Sequence, residues 1–359
     1  NALLYCIIKL FIMMEDFTME FKENTDFDLI GLGEGMLRLS PPNKEKISQS
    51  ETFEKNAGGS ELNVVSGAAM LGIRSAIVTK LPENKMGHFI RNKIRYGNVS
   101  DDYIIYDHSP QKRLGVYYYE SGAYPRKSSV IYDRANSSFC SLSLDELPED
   151  IYAKTKIFHI SSITLALDPS LKETAIKMIH KFHEAGAYIS FDVNYRASLW
   201  SEEEAKKTVE AIFPYVDFLF VSEETSRRML QRTGTLEEIM KGYADTYGCT
   251  LIATTRREAV SPTHHNFNSK IYMNGNFYEE EPYNNIEVID RIGSGDAYLA
   301  GVLYGLIKFG TPERAIEIGN ALSAVKNTVA GDMSASSIEE IESVIKSHKA
   351  TGHQDEMVR

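Results

Sequence analysis

Short apolar runs and longer stretches of helical periodicity take turns along almost the whole chain. Strands are expected over 27–31, 75–80, 157–160, 188–192, 218–221 and 251–254, and helices over 61–71, 86–96, 169–185, 202–213, 293–308 and 312–329. That alternation specifies an α/β domain with a mostly parallel sheet between helices. Two stretches break it. Residues 36–53 and 113–134 carry β-rich runs, notably 114–120 and 129–133, with no helix between them. Sheet segments of this kind need another surface to cover them. No internal repeat or low-complexity segment interrupts the pattern.

Composition narrows the partners. A length of 359 residues suits one large domain or two small ones, and 43% apolar and 25% charged residues are ordinary for a soluble globular enzyme. A net charge of −11 argues against nucleic acid or an anionic membrane as the main partner. Cys6, Cys140 and Cys249 show neither ligand spacing nor a pairing pattern, which fits a reducing cytoplasm. The apolar run over 2–14 is too short to span a bilayer and contains Lys9. Residues 1–22 are therefore expected to form an extension outside the fold, 23–346 the domain, and 347–359 a polar, frayed tail.

The densest chemical signal is Asp290-Arg291-Ile292-Gly293-Ser294-Gly295-Asp296, which runs straight into an apolar-periodic helix. Gly293 and Gly295 allow the backbone to curl so that successive amides converge, and the helix start adds unpaired amides and a positive dipole end. Asp296 inside such an anion site either caps the helix or takes a proton from a hydroxyl about to attack a phosphate. A second motif lies upstream. Gly58 and Gly59 precede a helix whose first turn carries Asn63, so backbone can approach a sugar closely while the amide offers a donor and an acceptor.

In this order and spacing, the two motifs resemble the paired signatures of the ribokinase-like (PfkB) carbohydrate kinases. The resemblance covers about 26–346. It implies a three-layer αβα sandwich with a mostly parallel central sheet, plus a small β lid that closes over the sugar and often pairs with a second subunit. It also implies ATP and Mg²⁺ as cofactors. A competing fingerprint, Gly31-Leu32-Gly33-Glu34-Gly35, is followed by strand and turn rather than a helix, so it offers no cradle for a dinucleotide.

Three further segments resemble 2-keto-3-deoxygluconate kinases: 33–42, 79–84 and 130–135. That substrate is an acid, and a planar guanidinium suits its carboxylate. Arg134 ends a lid strand, and Arg196 follows Asp192-Val193-Asn194-Tyr195 beyond a parallel strand. The resemblance puts Arg196 against the carboxylate, Asn194 near the nucleotide phosphates, and Tyr119 and Tyr132 against the sugar. Fructokinases carry a similar arginine, so a neutral-sugar kinase stays open. So does a sensor that binds sugar without phosphorylating it.

The nucleotide side departs from the family. Where relatives show Asn-x-x-Glu, this chain has Ser222-Glu223-Glu224-Thr225, which makes Ser222 and Glu224 the candidates, with Glu223 the alternative. Where relatives turn through Lys-x-Gly, it has Thr254-Thr255-Arg256-Arg257, with Arg256 the favoured replacement cation and Arg257 the alternative. Asn320 is expected near the adenine. His264 and His265 are adjacent, so a strand sets them on opposite faces, and they are not read as a metal site. No protein ligand for the metal is assigned. The expected chemistry is phosphorylation of a terminal hydroxyl, with Asp296 as base and amides of Gly293, Ser294 and Gly295 as the anion hole.

Overall fold

The computed structural model describes residues 19–261 and 263–350. The expectations for 1–18 and 351–359 lie outside the described residues.

The strands are β1 (Phe27–Leu32), β2 (Met36–Ser40), β3 (Glu54–Gly58), β4 (Ser75–Pro82), β5 (Val99–Ser100), β6 (Ile104–Asp107), β7 (Val116–Glu120), β8 (Ser129–Asp133), β9 (Thr155–Ser161), β10 (Tyr188–Asp192), β11 (Phe218–Phe220), β12 (Leu251–Ser261), β13 (His264–Met273), β14 (Asn276–Glu279) and β15 (Tyr283–Glu287). The helices are α1 (Ser60–Leu71), α2 (Lys85–Tyr96), α3 (Ser162–Ala166), α4 (Pro169–Glu184), α5 (Glu202–Ile212), α6 (Glu223–Arg228), α7 (Leu236–Tyr247), α8 (Ser294–Phe309), α9 (Pro312–Asn327) and α10 (Ile338–Lys349). Local chemistry sets many of these boundaries. Asp168 caps α4 through the amides of Ser170 and Leu171, with Pro169 fixing the first helical residue.

The large sheet runs β14-β13-β12-β11-β10-β9-β1-β4-β5, with β6 also on β4 and β15 on β13. From β12 across to β4 the pairs are parallel, and β13 then adds the antiparallel end. Alternation along each strand feeds two separate cores. Leu29, Ile157, Phe218 and Leu251 pack on one face with α1, α8 and α9, whereas Ile30, Phe158, Leu219 and Ile252 pack on the other with α4, α5 and α7. Both faces are therefore buried, as a parallel sheet requires. Strand order reverses about β1, which lies between β4 and β9, and this switch opens a crevice at the carboxyl ends of the strands.

The small sheet is β3-β2-β7-β8. Its β3 strand, Glu54–Gly58, falls just beyond the lid range expected from sequence. The segment Glu-Lys-Asn-Ala-Gly is polar and half exposed, so it carries little strand signature. Both domain limits also move outward. Met19 N donates to Gly310 O (3.1 Å), Tyr188 Oη to Glu20 O (3.1 Å) and Lys22 Nζ to Ala185 O (3.2 Å), so residues 19–22 pack on the fold. At the other end α10 continues to Lys349, and His348 stacks on Tyr283 with ring centroids 3.8 Å apart.

Candidate active site

The crevice is a cleft of about 650 Å³, within the usual size of a small-molecule site. Its floor is the start of α8. Gly293 caps this helix at φ +81°, and a Cβ there would collide with the backbone carbonyl of Asp332. Only glycine fits both demands. The Ser294 amide turns back to Arg291 O (3.3 Å) and Ala297 N closes the first turn on Gly293 O (2.8 Å). The amides of Gly293 and Gly295 make no hydrogen bond among the described residues, and that of Ser294 makes only this long turn bond.

Asp296 lies in the first turn of α8 and lines the cleft. Its Oδ1 accepts from Ser60 Oγ (2.9 Å) and its Oδ2 from Asn63 Nδ2 (2.7 Å), both on the first turn of α1. Asn194 Nδ2 donates in turn to Ser60 Oγ (3.3 Å). Burial pushes the Asp296 carboxyl up to about 6, against the pull of Asn63, Ser60 and the nearby Arg196 charge. A group near 6 that is ionised at neutral pH and held only by neutral donors is suited to accept a proton.

Two more carboxyls share the floor. Asp192, at the end of β10, is raised to about 8 by burial and by the charge of Asp296, so it holds its proton at neutral pH. Glu61 is 2% exposed and accepts from Ser161 N (3.0 Å), Ser161 Oγ (2.7 Å) and Thr164 Oγ1 (2.8 Å). Ser60, Asp192 and Glu61 carried no assigned role in the sequence reading. Ser60 and Glu61 stand inside the upstream motif and Asp192 opens the segment that carries Asn194 and Arg196, which is the signal that could have found them.

An ionic scaffold braces the turn from behind. Arg38 reaches Asp290 (2.7 Å) and Asp332 (2.6 Å), and all three side chains are 2–5% exposed. Asp290 also accepts from Ile292 N and Gly331 N, both at 3.1 Å. Lys326 is 1% exposed and places Nζ 3.2 Å from both Asp290 O and Val329 O. Tyr117 Oη bonds to Asp332, bringing the lid into the same network.

The other candidates divide. Gly59, Tyr132, Arg134, Arg196, Asn194, Ser222 and Glu224 all line the cleft. Gly58 lies just behind it, where a Cβ would meet Tyr117 and the Asp332 carboxylate. Ser222 caps α6 through Thr225 N (3.1 Å), and Glu224 pairs with Arg228 (3.3 Å). Arg134 is already engaged, since its Nε and Nη2 both go to buried Glu34. Arg196 is exposed and makes no ion pair among the described residues.

Three candidates do not reach the cleft. Tyr119 is 3% exposed, packed with its ring centroid 4.5 Å from Arg38 Cζ, and its neighbour on the same face, Tyr117, lines the cleft instead. Arg256 falls on the outer face because β12 continues to Ser261, and strand alternation gives the cleft to Thr255 and Arg257. Asn320 is fully buried against β13, where its Oδ1 accepts from Ser269 Oγ (2.6 Å).

The profile of the "pfkB family carbohydrate kinase" matches residues 26–339. A 2-dehydro-3-deoxygalactonokinase of Haloferax volcanii is 34% identical over 89% of this chain and 96% of its own length. A 5-dehydro-2-deoxygluconokinase of Clostridium perfringens is 27% identical over 92% and 96%. Among solved structures, the 2-dehydro-3-deoxygluconokinase of Thermotoga maritima superposes with a TM-score of 0.85 at 32% identity, covering 90% of this chain and all of that one. Among the described residues no helix is long and apolar enough to cross a membrane. The chain belongs to the pfkB family of carbohydrate kinases, phosphotransferases that act on an alcohol group.

Proposed function

We propose that the chain transfers the γ-phosphoryl group of ATP to the terminal hydroxyl of 2-keto-3-deoxygluconate. The observation that carries this reading is the seat of Asp296, a labile carboxyl beside open helix-start amides on the cleft floor. In this scheme Asp296 takes the hydroxyl proton while Ser60 and Asn63 hold its two oxygens in register. The amides of Gly293 and Gly295 meet the charge that develops on the transferring group. The neutral Asp192 carboxyl keeps a second negative charge away from the incoming phosphate. Asn63, Tyr132 and Arg134 face the sugar, and Asn194, Ser222 and Glu224 the nucleotide.

Among the described residues no group of three or more acidic, His or Cys side chains forms a metal cage. Glu224 lines the cleft and is the residue that would hold Mg²⁺, through water. When bound, the ion draws charge from the phosphates. The chain's own contribution is the positioning described above.

Arg196 supports an acidic sugar, since it is an unpaired cation whose charge is felt at both Asp192 and Asp296. The pairing of Arg134 with Glu34 favours the second reading, a neutral-ketose kinase. An ATP-consumption assay over a panel containing 2-keto-3-deoxygluconate, its galactonate epimer and fructose separates them. On the sugar acid, Arg196→Lys is expected to raise KM about 10- to 100-fold, while a neutral ketose changes little. Preferred turnover of fructose by the native chain would overturn the sugar-acid reading. The exposed edge strand β8, with Ile131 54% and Tyr132 43% exposed, supports a homo-oligomer formed through the small sheet.

A further inference from the structure

Arg257 and Arg291 bear the same charge, line the same cleft, and have no acidic partner among the described residues. Each guanidinium of Arg38, Arg134 and Arg228, by contrast, is paired with a carboxylate. Loss of hydration and the charge of Arg291 both push the Arg257 guanidinium below its ordinary range. Such a pair is unfavourable until an anion arrives between its members.

A third group belongs to this corner. In the β12–β13 hairpin Arg257 sits opposite Phe267 and Ala259 opposite His265, so His265 shares the face that Arg257 presents. His265 is 6% exposed and its Nδ1 has no hydrogen-bond partner. Burial, Arg257 and Arg291 all disfavour its protonation. Arg291 stands two residues before Gly293, so this cationic corner adjoins the anion turn. Thr255, two residues before Arg257 on the same face of β12, and Ser222, after the neighbouring strand β11, line the cleft with it.

We propose that Arg257 and Arg291 form a clamp for the polyphosphate tail of the nucleotide, backed by the buried His265 on the same face of the hairpin. This rests on the kinase reading above. Two guanidiniums supply, in a chain of net charge −11, the local field that a triphosphate needs. Arg291 lies in the glycine-turn motif ahead of Gly293, and Arg257 replaces the outward-facing Arg256 as the cation of this side.

Titration of purified full-length chain with inorganic tripolyphosphate, a non-hydrolysable ATP analogue and adenosine tests the clamp. Arg257→Gln and Arg291→Gln are each expected to weaken tripolyphosphate and the analogue about 10- to 100-fold and to leave adenosine and the sugar-acid KM unchanged. Arg256→Gln, on the opposite face, is the matched control. Loss of tripolyphosphate binding in the two cleft variants supports the clamp even if the native chain consumes no ATP. Native-like affinity for both phosphate probes in the double variant overturns it, and does so alone if the native chain still turns over ATP. A native chain that binds neither probe overturns the clamp and the kinase reading together. A rise in sugar-acid KM with unchanged analogue affinity overturns the clamp by placing the two arginines on the sugar.

Discussion

Asp290 and Asp296 stand at the two ends of one glycine turn, six positions apart, and meet opposite surroundings. Asp290 is 5% exposed and bound by Arg38, two backbone amides and the neighbourhood of Lys326. Asp296 has only the hydroxyl of Ser60 and the amide of Asn63. Ionic pairing fixes the position of one carboxylate, and only neutral side chains hold the other. On the proposed reading a single short motif thus holds an anchor and the proton acceptor, and most of the difference between them lies in residues from other parts of the chain.

The largest test of this contrast is Asp296→Asn. It keeps the size of the side chain and is expected to lower kcat about 10²- to 10⁴-fold with little change in KM or in melting temperature. Near-normal turnover would reduce Asp296 to a helix cap. Asp290→Asn should do the reverse. Leaving Arg38 with one carboxylate in a buried site is expected to cost about 3–5 kcal/mol in denaturant unfolding, with turnover falling less than in the first variant. Gly293→Ala is intermediate in kind, since it disturbs the turn without touching either acid. The positive φ and the Asp332 carbonyl make it cost about 1–3 kcal/mol, read as a lower unfolding midpoint, together with weaker binding of phosphate probes.

The smallest effects are in pH. Turnover should rise through about pH 6 as Asp296 loses its proton, and change again near 8 as Asp192 does. Asp192→Asn should abolish the alkaline change and keep the acid limb. Both folded-state values are raised above those of free carboxyls. The folded chain therefore binds these protons more tightly, and their contribution to stability is lost as pH climbs from about 4 through 6 and 8. Unfolding midpoints of the Asp192→Asn chain should accordingly fall less between pH 5 and 9.

Much of this was legible in the sequence, and the failures have physical causes. The alternation of β1, β9 and β10 with their helices was readable because each strand is apolar on both faces. The turn at Gly293 was readable because glycine and aspartate have few other uses before a helix. Arg256 was preferred over Arg257 although parity in β12 decides between them, and that parity depends on a hairpin reaching Ser261. Tyr119 and Tyr117 share a face, and only the location of Arg38 shows which of them meets the cleft. Ser60, Arg38 and Glu34 act across separations of 236, 294 and 100 residues, which no local pattern records.

The joint at Gly59 has a mechanical consequence. One residue separates the last strand residue of the small sheet from Ser60, whose hydroxyl grips Asp296, and that residue has φ +143° with the Glu34 carbonyl lying where a side chain would go. On the proposed reading, any displacement of the small sheet would reach the Asp296 carboxylate through this one residue.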